Sequence, residues 1–125
     1  MTRFGVRQDF SVNDLTRDAL TIALRDAGAE LGDIDAPYFG NRAHGLLEGR
    51  YVVTGQIALL SMGFERTPII NVENACATGA TALNQAAPHV RAGAADVVIA
   101  VVSIKQASTA SWNHEAPACH RFAEE

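Results

Sequence analysis

The sequence has too few cysteines and too few basic residues for several large classes of protein. Two of its 125 residues are cysteines, Cys76 and Cys119, and two thiols cannot build the dense disulfide framework of small secreted domains. Lys and Arg number 10 against 14 Asp and Glu, which gives a net charge of −4. No basic stripe interrupts that acidic balance, so nucleic acids and anionic membrane surfaces are not expected partners.

Long apolar segments are also absent. The longest aliphatic run covers residues 97–102, far short of the ~20 residues that span a bilayer. Residues 1–4 open the chain without the apolar segment of a secretory signal. We therefore expect a protein of the reducing cytoplasm that has no membrane span.

What is present is the composition of a globular domain. Hydrophobic residues make up 48% of the chain and charged residues 19%, which is enough apolar material for a buried core. A length of 125 residues corresponds to one domain or to part of one.

The first half of the chain predicts a helix and then a strand. Ser11 followed by Asp14 resembles a capping box, an apolar face recurs at helical spacing over 15–27, and Gly28 is a natural helix terminator. Residues 34–39 predict a short strand, in which the side of Pro37 that lacks an N–H is expected to face an edge, a bulge or an irregular stretch. Residues 40–50 are typical of a loop.

The second half repeats the alternation. Helices are predicted over 52–62 and 74–92, with a buried strand over 69–72 between them. In the second of these helices one stripe carries Ala80, Leu83, Ala87 and Val90, and Pro88 predicts a kink or an early end. Residues 97–102 are apolar on both faces, as in a central parallel strand. The fold class is therefore α/β, with a parallel-rich sheet covered by helices.

Cys76 is the position with the clearest chemical potential. It lies at the predicted junction between a strand and the helix that follows it. The partial positive charge and unpaired N–H groups of a helix N-terminus favour a thiolate and lower a cysteine pKa. Open α/β sheets also bind ligands at the carboxyl ends of their strands. The alternative is a small buried hydrophobic residue among alanines.

The residues around Cys76 resemble a known motif. Residues 74–80, Asn-Ala-Cys-Ala-Thr-Gly-Ala, resemble the nucleophile motif of the thiolases, Asn-x-Cys-Ala-Ser-Gly, with Thr78 in place of the usual Ser. Glu73 stands where the sterol-carrier-type branch of that superfamily commonly has a glutamate, which makes the segment resemble that branch most. The related motif of the β-ketoacyl synthases fits residues 77–79 less well. The resemblance extends over residues 2–106 and includes Gly55-Gln56 at a helix start. Residues 107–125 form a tail without assignable structure.

The resemblance implies acyl transfer in lipid metabolism. Cys76 would attack an acyl-CoA thioester and hold the acyl group covalently, with Gly79 and Asn74 supporting the helix N-terminus and the oxyanion. Coenzyme A and acyl-CoA would be substrates, no metal or other cofactor would be bound, and the family's full-length members would be homo-oligomers. His114 and Glu115 are followed by Ala118, so the zinc-binding spacing HExxH fails.

The resemblance also implies missing parts. The thiolases carry a histidine and a second cysteine in a second half that has no counterpart here, and their first strand lies between those equivalent to residues 34–39 and 97–102. We expect an incomplete chain, inactive alone, in which loss of that strand leaves two strands with unpaired backbone groups. The alternatives are a non-catalytic thiolase-fold remnant or assembly subunit, and a redox-sensing thiol protein. The last would need a second cysteine near Cys76, whereas Cys119 lies in the tail without assignable structure.

Overall fold

The protein is described as a computed structural model, which covers residue 2, residues 9–41 and residues 52–103. These residues form an α/β domain, as the sequence predicts. The predicted loop 40–50 begins later than expected, because residues 40 and 41 belong to a strand, and residues 42–50 lie outside the described residues. Residues 3–8 and the tail 107–125 also lie outside them. The elements are, in chain order, α1 (Val12–Ala27), β1 (Ala36–Asn41), α2 (Thr54–Leu60), β2 (Ile70–Val72), α3 (Thr78–Arg91) and β3 (Val98–Ser103), with 3₁₀ turns at Leu31–Asp33 and Ala75–Ala77.

The capping residues of α1 fix both of its ends. The Ser11 side chain accepts a hydrogen bond from the Asp14 N–H at 3.2 Å, and the Asp14 carboxylate accepts from the Ser11 N–H at 2.9 Å. Gly28 follows the last turn with a φ of 63°, a left-handed conformation that glycine adopts without steric cost. The predicted capping box and terminator are confirmed, and the helix begins at Val12, directly after its cap.

The three strands are parallel and lie in the order β2-β1-β3. The prediction that 97–102 forms a central strand is therefore wrong for the described sheet, in which β1 is central. The apolar pattern of β3 has a different cause, because α1 and α3 pack on its two faces. Burial on both faces produces an apolar run whether or not both edges are paired.

Pro37 lies in the central strand, at a position where only one side of that strand is paired. β1 pairs with β3 from Ala36 onward, but its pairing with β2 starts at Tyr38. Pro37 thus precedes the part of the strand that is paired on both sides. A proline is tolerated near the start of a strand, where few ladder hydrogen bonds depend on it.

The strands expected to lie on either side of a missing neighbour pair with each other instead. Six residues of β1, Ala36–Asn41, are in register with six residues of β3, Val98–Ser103. The expectation of unpaired backbone groups along both strands is wrong, because each strand supplies the partner of the other.

Apolar side chains fill both faces of the sheet. On one face α1 and α2 pack through a cluster that includes Leu20, Phe39, Leu59, Phe64 and Val101. On the other face α3 packs through small residues, Ala82 and Ala86, against Ala36, Tyr38 and Val72. The alanines bring the backbone of α3 close to the sheet.

The face of α3 that meets the sheet differs from the stripe seen in the sequence. Thr78, Ala82 and Ala86 are buried at a spacing of four, whereas Leu83 is 64% exposed and Val90 41% exposed. The helix continues past Pro88 to Arg91, so the predicted early end does not occur. Within the described parts of the chain, no helix is both long enough and apolar enough to cross a bilayer.

Candidate active site

Cys76 lies in the 3₁₀ turn that connects β2 to α3. The strand ends at Val72, the turn covers Ala75–Ala77, and α3 starts at Thr78 without a break. The predicted strand–helix junction is confirmed. The Cys76 side chain is exposed and unpaired with another cysteine, so it is not a small buried core residue.

The backbone of this turn adopts two unusual conformations. Asn74 has φ −152° and ψ 53°, and Ala75 has a φ of 42°, in the left-handed region. Ala75 and Val53 are the two non-glycine residues with positive φ in the described segments. A left-handed alanine costs about 1–2 kcal/mol, because its Cβ crowds the carbonyl oxygen. The residue directly before Cys76 is therefore strained and must be held by its surroundings.

Thr78 supplies hydrogen bonds that hold the turn. Its Oγ1 accepts from the Asn74 N–H at 2.9 Å and donates to the Ala75 carbonyl at 2.8 Å. The Ala77 N–H also donates to the Asn74 carbonyl at 2.8 Å. From the sequence alone Thr78 is a conservative replacement of serine, and this role is not predicted. A hydroxyl residue four positions after Asn74 was the available signal.

Asn74 precedes the turn that carries Cys76, and Gly79 follows it in the first turn of α3. The Asn74 side-chain amide donates to Thr81 Oγ1 at 2.9 Å and so attaches the start of the turn to the first turn of α3. Gly79 belongs to that first turn, whose N–H groups have no acceptor within the helix. A Cβ on Gly79 would meet Val102 Cγ2 at 3.5 Å, an ordinary contact distance.

The carboxyl ends of the three strands place this turn beside neighbouring polar residues. Gly40 is in register with Val72, and Asn41 with Ser103. Asn41 donates to Thr54 Oγ1 at 3.0 Å at the start of α2. Parallel strands place their carboxyl ends at one edge, where open α/β sheets bind ligands.

Asn71 anchors the start of α2 to β2. Its Oδ1 accepts from the Gly55 N–H at 2.8 Å, and its Nδ2 donates to Gln56 Oε1 at 2.7 Å. Gln56 in turn donates to the Ile69 carbonyl at 3.2 Å. Gly55 has no space for a side chain, because a Cβ there would lie 2.6 Å from Asn71 Oδ1 and 2.8 Å from the Cβ of Phe39. At Gly55-Gln56 the start of α2 therefore packs directly against β1 and β2.

Two other polar groups lie away from Cys76. Asp35, just before β1, accepts from the N–H groups of Asp96 and Val97 at 2.8 and 3.0 Å. The bond from Val97, followed by that from Asp96, lowers the pKa of the Asp35 carboxyl. His89 is half-buried, and its Nδ1 lies 2.9 Å from Tyr38 Oη. These groups support the amino end of the sheet and α3.

Comparison with known families decides the class of the protein. A model of the thiolase N-terminal domain matches residues 1–116, which is nearly the whole chain. The chain belongs to the thiolase family. The resemblance drawn from residues 74–80 is confirmed, and so is the expectation of a partial thiolase-like α/β domain.

Individual relatives agree with this family. The chain is 38% identical over 99 residues to an acetyl-CoA acetyltransferase of Methanothermobacter thermautotrophicus, covering 79% of this chain and 26% of that protein. It is 39% identical over 98 residues to an acetyl-CoA acetyltransferase of Methanocaldococcus jannaschii, covering 78% of this chain and 25% of that protein. It is 36% identical over 108 residues to sterol carrier protein 2 of Gallus gallus, covering 81% of this chain and 18% of that protein.

The matches cover most of this chain but only a small part of each relative. The chain spans about a quarter of the length of the acetyl-CoA acetyltransferases it matches.

Proposed function

We propose that this chain carries the nucleophile of a thiolase-type acyltransferase and that Cys76 is that nucleophile. The observation that carries the proposal is the exposed thiol in a strained turn at the start of α3, within the family's own nucleophile motif. Exposure gives an acyl thioester access to the sulfur. A fixed turn presents the thiol in one direction, which reduces the entropic cost of reaction.

The reaction begins with the thiolate of Cys76. Its lone pair attacks the carbonyl carbon of an acyl-CoA, and the carbonyl oxygen takes the negative charge in a tetrahedral intermediate. N–H groups in the first turn of α3, at Gly79, and the turn anchored by Asn74 support that charge. Collapse of the intermediate breaks the carbon–sulfur bond to coenzyme A, whose thiolate takes a proton from solvent. The acyl group then remains on Cys76 as a thioester.

The second half-reaction transfers the acyl group to coenzyme A or to the carbanion of an acetyl-CoA. Generating a thiolate and a carbanion calls for an acid and a base. We propose that the isolated chain forms the acyl-enzyme but does not turn over. We further propose a role in cytoplasmic lipid metabolism and, for the complete assembly, a homo-oligomer.

Covalent labelling tests the proposal. The purified chain is incubated with acetyl-CoA, digested, and searched by mass spectrometry for an acetyl thioester on the Cys76 peptide. We expect the label on Cys76, its loss in the Cys76→Ser variant, and its persistence in the matched Cys119→Ser variant. A wild-type chain that stays unlabelled while its Cys76 still reacts with iodoacetamide would overturn the proposal.

A second candidate is a non-catalytic thiolase-fold subunit. The relationship to sterol carrier protein 2 favours it, because the name of that relative describes a carrier and not an acyltransferase. The same experiment separates the two, since such a subunit would take up no acetyl group at Cys76 under conditions in which it is folded.

A further inference from the structure

We propose that Thr78 is a positioning residue for Cys76, an inference that rests on the proposed role of Cys76 as nucleophile. Thr78 lies two residues after the cysteine and is 1% exposed, so its side chain is not available to a substrate. Its hydroxyl instead bridges two backbone groups on the other side of Cys76. The residues between them, Ala75 to Ala77, form the turn that carries the thiol.

The bonding capacity of one hydroxyl fits this bridge. A threonine hydroxyl donates one hydrogen and accepts through its lone pairs. Thr78 Oγ1 donates to the Ala75 carbonyl at 2.8 Å and accepts from the Asn74 N–H at 2.9 Å. The two contacts require opposite roles, so both are satisfied at once by a single orientation of the hydroxyl.

The bridge acts on the strained residue. Ala75 has a φ of 42°, and its carbonyl receives both the Thr78 hydroxyl and the Thr78 backbone N–H. An alanine released from these bonds regains about 1–2 kcal/mol by leaving the left-handed region. Its rotation would swing the following peptide and with it the Cys76 side chain. The hydroxyl therefore holds the conformation that sets the direction of the thiol.

The methyl group of Thr78 lies on the side of the residue that faces the sheet. It packs against the backbone of Gly40 in β1, where a Cβ would come within 2.9 Å of Thr78 Cγ2. The missing side chain of Gly40 is what lets Thr78 lie this deep against the sheet. The central strand, Thr78 and the turn of Cys76 thus form one continuous line of contacts.

The experiment compares Thr78→Ser with Thr78→Ala in the full chain. Neither variant keeps the methyl group, so the pair differs only in the hydroxyl, and Thr16→Val serves as a control for altering a buried threonine elsewhere. Two rates are measured at the Cys76 peptide by mass spectrometry: alkylation by iodoacetamide, and acetylation by acetyl-CoA. Alkylation reports the presentation of the thiol whether or not the protein is an acyltransferase.

We expect the Thr78→Ala variant to alkylate about threefold more slowly and to acetylate about tenfold more slowly than wild type, since misplacement of a reacting group is costly. The Thr78→Ser variant and the Thr16→Val control should stay near the wild-type rates. If the Thr78→Ala variant alkylates more slowly than wild type but the wild-type chain never acetylates, the proposed function fails and the positioning role stands. Equal alkylation and acetylation rates in the Ser and Ala variants would overturn the positioning role.

A second measurement, amide hydrogen exchange, can be made on the wild-type chain. The amide of Asn74 should exchange its hydrogen more slowly than a free amide, because Thr78 Oγ1 accepts its bond. This protection should persist in the Thr78→Ser variant. An Asn74 amide that exchanges at the free rate in the folded wild-type chain would contradict the bridge even if the Thr78→Ala variant does not fold.

Discussion

Gly40 and Thr78 meet across the contact between the central strand and α3. A Cβ placed on Gly40 would lie 2.9 Å from Thr78 Cγ2 and 2.9 Å from Val102 Cγ2, closer than carbon atoms approach without strain. The absence of a side chain near the carboxyl end of β1 therefore sets how closely the first turn of α3, and the cysteine turn before it, approaches the sheet.

The Gly40→Ala substitution should destabilise the fold because neither neighbouring methyl group can move away freely from a buried site. Overpacking of this kind costs about 1–3 kcal/mol of unfolding free energy. The measurement is urea unfolding followed by circular dichroism. The matched control is Gly32→Ala, since no described atom lies within 4 Å of a Cβ at Gly32 and its φ is not positive. Equal stability of the two variants would show that Gly40 is not crowded.

Two buried threonines should respond in opposite ways to replacement by valine. Thr16 and Thr78 are each 1% exposed, but Thr16 Oγ1 has no hydrogen-bond partner among the described residues. Thr16→Val removes an unsatisfied hydroxyl and should leave stability unchanged or raise it. Thr78→Val removes two hydrogen bonds and should cost about 1–3 kcal/mol of unfolding free energy. Thermal unfolding of both variants checks this, and a larger loss at Thr16 would refute it.

The Asn71→Ala substitution should weaken the start of α2. Asn71 Oδ1 accepts the Gly55 N–H in the manner of a helix cap, and α2 has no side-chain cap of its own at Val53. Loss of a cap costs about 1 kcal/mol of unfolding free energy, measured by urea unfolding. Asn84→Ala, at an exposed position in the interior of α3, is the control and should cost nothing. The reverse order of the two variants would rule out the capping role.

The carboxyl of Asp35 should make folding stability depend on acid pH. Hydrogen bonds from the N–H groups of Val97 and Asp96 hold the pKa of this carboxyl below its ordinary value in the folded state. A lowered folded-state pKa stabilises the protein above the unfolded-state pKa, and that contribution is lost as the pH falls through the folded-state value. Asp35→Asn should therefore flatten the fall in melting temperature below about pH 4. Unchanged steepness in this variant would argue against the two hydrogen bonds.

The sequence predicted those features that depend on residues close together in the chain. Ser11, Asp14 and Gly28 determine α1 through local caps, and the change from an apolar strand to a helical period places Cys76 at a junction. The family motif adds the proposed role of that cysteine. These predictions need no knowledge of the sheet order.

Features that depend on long-range packing could not be predicted in this way. The central position of Pro37 follows from strand order, and an apolar run such as 97–102 reports buried faces, not paired edges. The buried face of α3 is set by small residues that fit the sheet, so Leu83 was not a reliable guide. The bridge formed by Thr78 depends on the left-handed Ala75, and no periodicity indicates that conformation.

The most direct test of the account is the release of coenzyme A during the first reaction with acetyl-CoA. Rapid mixing of the purified chain with acetyl-CoA and a thiol-detecting reagent measures how much coenzyme A is freed per chain. The account predicts a single burst that approaches one equivalent, with no further turnover, and no burst from the Cys76→Ser variant. A burst that survives in the Cys76→Ser variant, or none in a folded wild-type chain, would contradict it.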